Sequence, residues 1–139
     1  GDAPGPGCPE VTAMHLILGG RYMGKRAYAE SLYGPFAAVC DLSCDEPEFV
    51  TDAAVVINLQ DGVRTLLLRG SDVRAFFEAR VERLRRCVLI GDEIGGGIVP
   101  LDPFERRWRD ETGLLYQFLA REAETVDRVW AGIPVRMKG

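Results

Sequence analysis

The sequence predicts an α/β fold with a mainly parallel central sheet between two layers of helices. Short apolar runs alternate along the chain with stretches of helical periodicity. That alternation favours right-handed crossovers between parallel strands, and the sheet is then covered on both faces. At 139 residues, of which 47% are hydrophobic and 27% charged, the chain has the composition of a globular protein with one core.

The strands and helices are predicted from runs of apolar and β-branched residues. Strands are predicted at residues 14–18, 36–40, 53–59 and 87–91, and a last strand with a tail is predicted within residues 127–137. Helices are predicted after Gly24, after a cap at Ser71 or Asp72, and from about Phe104 to Glu124. Residues 1–13 are rich in proline and glycine and predict a flexible leader, so that residues 14–139 form a single domain.

Charge and hydropathy argue against several classes of partner. The formal net charge of −4 gives no electrostatic attraction to nucleic acid or to an anionic membrane. No apolar run approaches the roughly 20 residues that span a bilayer. Cys40 and Cys87 lie in apolar runs, where we expect buried thiols. We therefore expect a cytoplasmic protein.

A glycine-rich stretch after the first predicted strand has the pattern of a phosphate-binding loop. Residues 19–26, GGRYMGKR, follow G-x-x-x-x-G-K-S/T at every position except the last. The glycines allow backbone amides to ring a phosphate, and the helix that follows adds the partial positive charge of its N-terminus. The predicted nucleotide- or phosphate-binding residues are Gly19, Gly20, Arg21, Gly24, Lys25 and Arg26. A glycine-rich turn without a ligand is the alternative.

Arg26 stands where such a loop has the hydroxyl that binds Mg²⁺. A guanidinium is always charged and only donates hydrogen bonds, so it cannot replace that ligand. Either Arg26 faces the phosphate oxygens, or it pairs with a nearby carboxylate and takes the place of the cation. In both cases we expect weakened binding of a Mg²⁺-nucleotide.

Asp92 and Glu93 directly follow the fourth predicted strand, at the edge where parallel sheets bind ligands. A carboxylate there can hold Mg²⁺ or orient an attacking hydroxyl, which makes Asp92 the candidate metal ligand. The glycines that follow would let the next loop approach a ligand closely. The predicted substrate loop contains Asp92, Gly95, Gly97 and Pro100. The alternative is that the two carboxylates only cap the following turn.

Both stretches resemble one enzyme family. The segments MHLILGGRYMGKRAYAESLYG, CVLIGDEIGGGIVP and RDETGLLYQFLA resemble adenosylcobinamide kinase/adenosylcobinamide-phosphate guanylyltransferase. The resemblance implies a P-loop NTPase-like fold, ATP or GTP as the nucleotide, a corrinoid substrate and a trimeric homo-oligomer. It also implies catalytic roles for Lys25, which would stabilise charge, and for Glu93, which would orient the nucleophile or the metal.

Departures from the family pattern affect the chemistry that we expect. The family transfers GMP through a guanylylated histidine, whereas the only histidine here is His15, in the first predicted strand. Asn58 lies near the end of the third predicted strand, at a position where relatives commonly carry a carboxylate. Asn58 and Arg26 together leave the metal-handling positions without their usual ligands. We therefore expect a nucleotide-binding protein with impaired kinase activity and without guanylyl transfer. The alternatives are a non-catalytic nucleotide- or corrinoid-binding protein, and a scaffold subunit whose loop binds only adventitious anions.

Overall fold

A computed structural model of the chain describes residues 11–95 and 102–139. Within these ranges the strands are β1 His15–Gly19, β2 Val39–Asp41, β3 Val55–Ile57, β4 Val88–Asp92, β5 Thr125–Trp130 and β6 Ile133–Lys138. The helices are α1 Lys25–Tyr33, α2 Leu59–Leu68, α3 Val73–Glu78, α4 Val81–Leu84 and α5 Pro103–Glu122, and a 3₁₀ helix spans Pro47–Asp52. Among the residues described, no helix combines the length and the hydropathy that crossing a membrane requires.

The strands form one sheet in the order β2-β3-β4-β1-β5-β6. All neighbouring pairs are parallel except β5 and β6, which form an antiparallel hairpin. β1 lies between β4 and β5, with Gly19 opposite Asp92 on one side and opposite Val129 on the other. The residues after β1 therefore meet the end of β4 at the carboxyl edge of the sheet. The predicted α/β fold with a mainly parallel sheet is confirmed.

Helices cover both faces of the sheet, because successive residues of a central strand are buried on opposite sides. Leu16 of β1 belongs to the larger hydrophobic cluster, together with Phe77 of α3 and Leu119 of α5. Ile17, the next residue of β1, belongs to the second cluster, in which Ala29 of α1 is buried. The result is the three-layer arrangement that the sequence predicts.

The predicted third strand is too long. β3 ends at Ile57, Asn58 has a left-handed backbone with φ of 60°, and α2 begins at Leu59. Asparagine is one of the few residues other than glycine that adopt this conformation readily. The sequence does not predict α2, because apolar residues of the helix continue the apolar run of β3. This correction decides where Asn58 and the residues after it lie.

The helix predicted after residue 71 begins where expected but is divided. Asp72 is the cap, and its side chain accepts a hydrogen bond from the Ala75 amide at 3.0 Å. The chain then forms α3 and α4 with a short interruption between Glu78 and Val81. The apolar spacing predicted both helical turns but carried no signal for the break.

The predicted tail is a strand. Ala131 and Gly132 have positive φ values of 49° and 77°, and they join β5 to β6 in a tight hairpin. Every side chain of β6 is exposed. Pro134 disfavours a strand except at the edge of a sheet, which is where β6 lies. Pro134 argues against a strand in the sequence, but an edge strand tolerates a proline.

Candidate functional site

The glycine-rich residues 19–26 connect β1 to α1 at the carboxyl edge of the sheet. Gly19 is still paired in the sheet, and its carbonyl accepts a hydrogen bond from the Glu93 amide at 2.9 Å. Gly24 has φ of 92° and precedes the first residue of α1, and no side chain caps the helix there. The first amides of a helix have no partner within the helix. An uncapped N-terminus of this kind can bind an anion.

These residues form one wall of a cavity of about 640 Å³. The opposite wall comes from the ends of β3 and β4 and from the starts of α2 and α5. The residues that line the cavity are Arg21, Tyr22, Met23, Gly24, Lys25, Arg26, Ala27, Ser43, Ile57, Asn58, Gln60, Asp61, Ile90, Asp92, Glu93, Ile94 and Trp108. The structure thus brings the predicted loop and the predicted carboxylates into one site.

Lys25 is buried in this cavity, with 7% of its surface exposed. Its ammonium lies 2.8 Å from Oδ1 of Asp92 and donates a hydrogen bond to the Gly20 carbonyl at 2.7 Å. A buried ammonium needs such partners, because desolvation penalises the charged form. The ion pair holds the lysine in place between the loop and the end of β4.

Gln60 holds the other side of Asp92. Its side-chain amide donates to Oδ2 of Asp92 at 3.2 Å, and its side-chain carbonyl accepts from the Asp92 backbone amide at 2.8 Å. Tyr116 donates its hydroxyl to the Asp92 carbonyl at 2.5 Å, and burial raises the pKa of Tyr116, which keeps this donor protonated. Trp108 donates its indole N–H to the main-chain carbonyl of Gln60 at 2.7 Å. Asp92 is therefore fixed at both its backbone and its carboxylate.

Gln60 is a site residue that is not among those predicted from the sequence. Gln60 directly follows the third predicted strand in the sequence, and in the structure it lies in the first turn of α2 and is 6% exposed. A glutamine inside an otherwise apolar run, LQDGVRTLLL, was the available signal. Buried polar side chains need hydrogen-bond partners, so such a residue indicates a nearby polar site.

Glu93 lines the cavity but does not contact Lys25. Its carboxylate lies 2.7 Å from the guanidinium of Arg128 on β5, and about a third of the side chain is exposed. Of the predicted substrate loop, Gly95 is exposed and has open space around its Cα, whereas Gly97 and Pro100 lie outside the described residues. The carboxylate nearest to the lysine is thus Asp92.

Arg26 pairs with a carboxylate of its own helix. Its Nε lies 3.2 Å from Oε1 of Glu30, one helical turn further on, and its side chain is 55% exposed. Of the two arrangements open from the sequence, the structure has the pairing with a carboxylate. The guanidinium does not replace a cation beside Asp92, however, because Lys25 occupies that position.

Asn58 is bound to a carboxylate from the neighbouring strand. Its side-chain amide donates to Oδ1 of Asp41, at the end of β2, at 2.8 Å. Burial disfavours the ionised form of Asp41, but hydrogen bonds from Asn58 and Ser43 outweigh it and lower the pKa. The carboxylate of Asp41 therefore lies next to Asn58, although Asp41 is not among the site residues predicted from the sequence.

Comparison with known proteins identifies the family. Residues 63–137 match the family described as cobinamide kinase / cobinamide phosphate guanyltransferase, CobU. The chain belongs to this family. The matched range includes Asp92 and Glu93, whereas the glycine-rich loop lies before it. The resemblance predicted from the sequence is thus confirmed.

Individual relatives give the extent of the similarity. The bifunctional adenosylcobalamin biosynthesis protein CobP of Pseudomonas aeruginosa is 35% identical over 98 residues, which are 70% of this chain and 46% of CobP. The chain thus spans about half the length of this curated relative. The flagellar accessory protein FlaH of Methanocaldococcus jannaschii aligns with 96% of this chain and 81% of its own, at 13% identity and a TM-score of 0.32. A TM-score of that size does not establish a shared fold.

His15, the single histidine of this CobU-family chain, lies outside the cavity. It is 3% exposed in β1, its Nε2 lies 2.6 Å from Oδ2 of Asp127, and its Nδ1 lies 2.7 Å from the Tyr33 hydroxyl. Arg136 of β6 also donates to Asp127, at 2.6 Å. Both ring nitrogens are thus occupied by a network that joins β1, α1 and β5 in the core.

The residues around Asp92 do not fit a Mg²⁺ ion held by the protein. Among the described residues, no group of three or more His, Cys, Asp or Glu side chains is arranged to bind a metal. Both carboxylate oxygens of Asp92 already accept from cationic or amide donors, Lys25 and Gln60. The residue after Lys25 supplies a guanidinium in place of a hydroxyl.

Proposed function

We propose that this chain binds a nucleoside triphosphate, with the phosphate chain on residues 19–26 and the outer phosphates at Lys25. The observation that carries the proposal is the buried ammonium of Lys25 beside the uncapped start of α1. Backbone amides and a fixed ammonium together form the usual environment for a nucleotide phosphate chain. The cavity of about 640 Å³ is of the size that holds a small ligand.

We propose further that phosphoryl transfer by this chain is weak. Stabilising the charge of the transferred phosphoryl group is most of the catalysis in such reactions. The family description, cobinamide kinase, suggests phosphoryl transfer to a hydroxyl group. In this chain Lys25 would supply positive charge, and Glu93 is the candidate to orient that hydroxyl. Arg26 stands in place of the residue whose hydroxyl usually binds Mg²⁺, so that source of stabilisation is weakened.

Guanylyl transfer through a histidine has no support in this chain. His15 is buried and hydrogen-bonded at both nitrogens, and it does not line the cavity. A nucleophile has to reach the α-phosphate of the nucleotide. The proposed activity is therefore restricted to nucleotide binding and weak kinase chemistry.

A binding role without turnover is the second candidate function. It is favoured by the pairing of Asp92 with both Lys25 and Gln60, because each oxygen of the carboxylate already has one of these partners. Incubation with ATP and cobinamide separates the two candidates. Release of ADP with formation of cobinamide phosphate would establish the kinase, and bound ATP that persists unchanged would establish the binding role.

Isothermal titration of the chain with ATP and with GTP, with and without Mg²⁺, tests the proposed function. We expect binding in the absence of metal, and a dissociation constant that changes by about threefold or less when Mg²⁺ is added. A strict requirement for Mg²⁺ would mean that another side chain replaces the missing hydroxyl. The absence of binding under both conditions would refute the proposal.

A further inference from the structure

The three cationic side chains of residues 19–26 differ in their partners. Lys25 is paired with Asp92 at 2.8 Å, and Arg26 is paired with Glu30 at 3.2 Å. Arg21 also lines the cavity, and within the described part of the chain its guanidinium has no carboxylate within salt-bridge distance. Of the three, Arg21 is the cation that can bind a ligand without first leaving an ion pair.

An aromatic ring holds Arg21 in position. The guanidinium carbon lies 4.8 Å from the centre of the Tyr22 ring, a distance typical of a cation–π contact. Tyr22 is 86% exposed, so its ring adds nothing to the hydrophobic core. Stacking of this kind restricts the guanidinium and leaves its N–H groups available for hydrogen bonds.

The backbone at Tyr22 is strained and is held from the neighbouring hairpin. Tyr22 has φ of 60°, a left-handed conformation that is unfavourable for an aromatic residue. The next residue, Met23, is fixed by the β5–β6 turn: its carbonyl accepts from the Gly132 amide at 2.8 Å, and its sulfur accepts from the Ala131 amide at 3.2 Å. The hairpin thus maintains a conformation that presents Tyr22 and Arg21 to the cavity.

Carboxylates are among the residues that line the cavity together with Arg21: Asp61, Asp92 and Glu93. Burial and the charges of Asp92 and Asp41 raise the pKa of Asp61, whereas the charge of Arg21 acts to lower it. A phosphate group in this cavity would be repelled by these carboxylates, so a cation is needed beside it to offset the repulsion.

We propose that Arg21, oriented by Tyr22, binds the outermost phosphate of the nucleotide and supplies the positive charge that a metal ion would otherwise provide. This inference rests on the proposed function. Arg21 is the phosphate-contacting residue, and Tyr22 is a positioning residue. A guanidinium suits this role because it donates two parallel hydrogen bonds to phosphate oxygens.

Metal-free titrations with ATP, ADP and AMP test the assignment of Arg21. We expect Arg21→Ala to weaken ATP binding about tenfold, with an effect on AMP of about twofold or less, because AMP lacks the outer phosphates. Arg26→Ala should weaken ATP binding less than Arg21→Ala, because its guanidinium is already paired. Arg74→Ala removes a similar exposed i, i+4 pair on α3, outside the cavity, and should leave the affinity for ATP unchanged.

The role of Tyr22 has its own readout. Tyr22→Phe keeps the ring and should retain the affinity for ATP, whereas Tyr22→Ala should lose about threefold. In the Arg21→Ala background, Tyr22→Ala should add no further loss, because the group that it positions is gone. An equal loss in both backgrounds would overturn the positioning role.

Lys25→Ala separates failure of the inference from failure of the proposed function. If Lys25→Ala loses ATP binding while Arg21→Ala binds as the wild type does, the assignment of Arg21 is wrong and the proposed function stands. If Lys25→Ala binds ATP as the wild type does, the proposed function itself is wrong. A larger loss in Arg26→Ala than in Arg21→Ala would identify Arg26 as the phosphate cation and overturn the inference.

Discussion

Lys25→Ala is expected to weaken the binding of ATP by about 30-fold, equivalent to about 2 kcal/mol. The substitution removes the one ammonium that the cavity contains among the residues described. It also leaves the Asp92 carboxylate, now paired only with the side-chain amide of Gln60, facing the phosphates. The variant loses the attraction between Lys25 and the phosphates, and it gains a repulsion between Asp92 and the phosphates. Because both changes weaken binding, we expect this substitution to have the largest effect on ATP affinity of any single substitution.

The control for Lys25→Ala is the other lysine of the chain. Lys138 lies at the end of β6, and its ammonium donates to the Ala120 and Arg121 carbonyls at 3.0 and 3.1 Å, far from the cavity lining. Lys138→Ala should leave ATP affinity unchanged while it removes the same charge. Equal losses in the two variants would show that only net charge matters, and they would contradict the role given to Lys25.

Gly19→Ala is expected to reduce the free energy of unfolding by about 3 kcal/mol or more. A Cβ atom at Gly19 would lie 2.3 Å from the carbonyl oxygen of Val129 and 3.4 Å from Cδ of Lys25. The first contact is with the backbone of β5, which pairs with β1 along its length and cannot move away at low cost. Urea denaturation followed by circular dichroism measures the change.

Gly113→Ala is the matched control for Gly19→Ala. Gly113 lies inside α5, and nothing is within 4 Å of the Cβ that the substitution would add. Alanine is favoured over glycine in a helix, so this variant should gain about 0.5 to 1 kcal/mol. A Gly19→Ala protein as stable as the wild type would mean that β1 and β5 are less closely paired than the structure has them.

The sequence predicts much of the fold because several elements depend on local signals. The buried strands β1 and β4 are short apolar runs, and the start of α3 has the cap residue Asp72 that its position requires. α2 and β6 were missed for opposite reasons. α2 continues an apolar run, so its start carries no break, whereas β6 is an exposed edge strand that contains Pro134. Whether α2 and β6 form depends on the elements that pack against them in the folded chain.

The candidate site was predictable where one segment carries the chemistry. Lys25 and the glycines lie in one motif, and Asp92 follows directly from the end of a strand. The side chains that hold Asp92 come from elsewhere in the chain: Gln60 from α2 and Tyr116 from α5. The pairing of Asn58 with Asp41 likewise joins two strands. Such contacts depend on the packing of distant segments, which spacing along the chain does not encode.

A crystal structure of the chain with ATP and without Mg²⁺ tests the central claim most directly. We expect the phosphate chain to lie on the amides of residues 19–26, with the Lys25 ammonium moved from the Gly20 carbonyl to the phosphate oxygens. ATP bound at another place would contradict this claim. So would a Lys25 ammonium that still donates to the Gly20 carbonyl, and does not contact the phosphates, at saturating ATP.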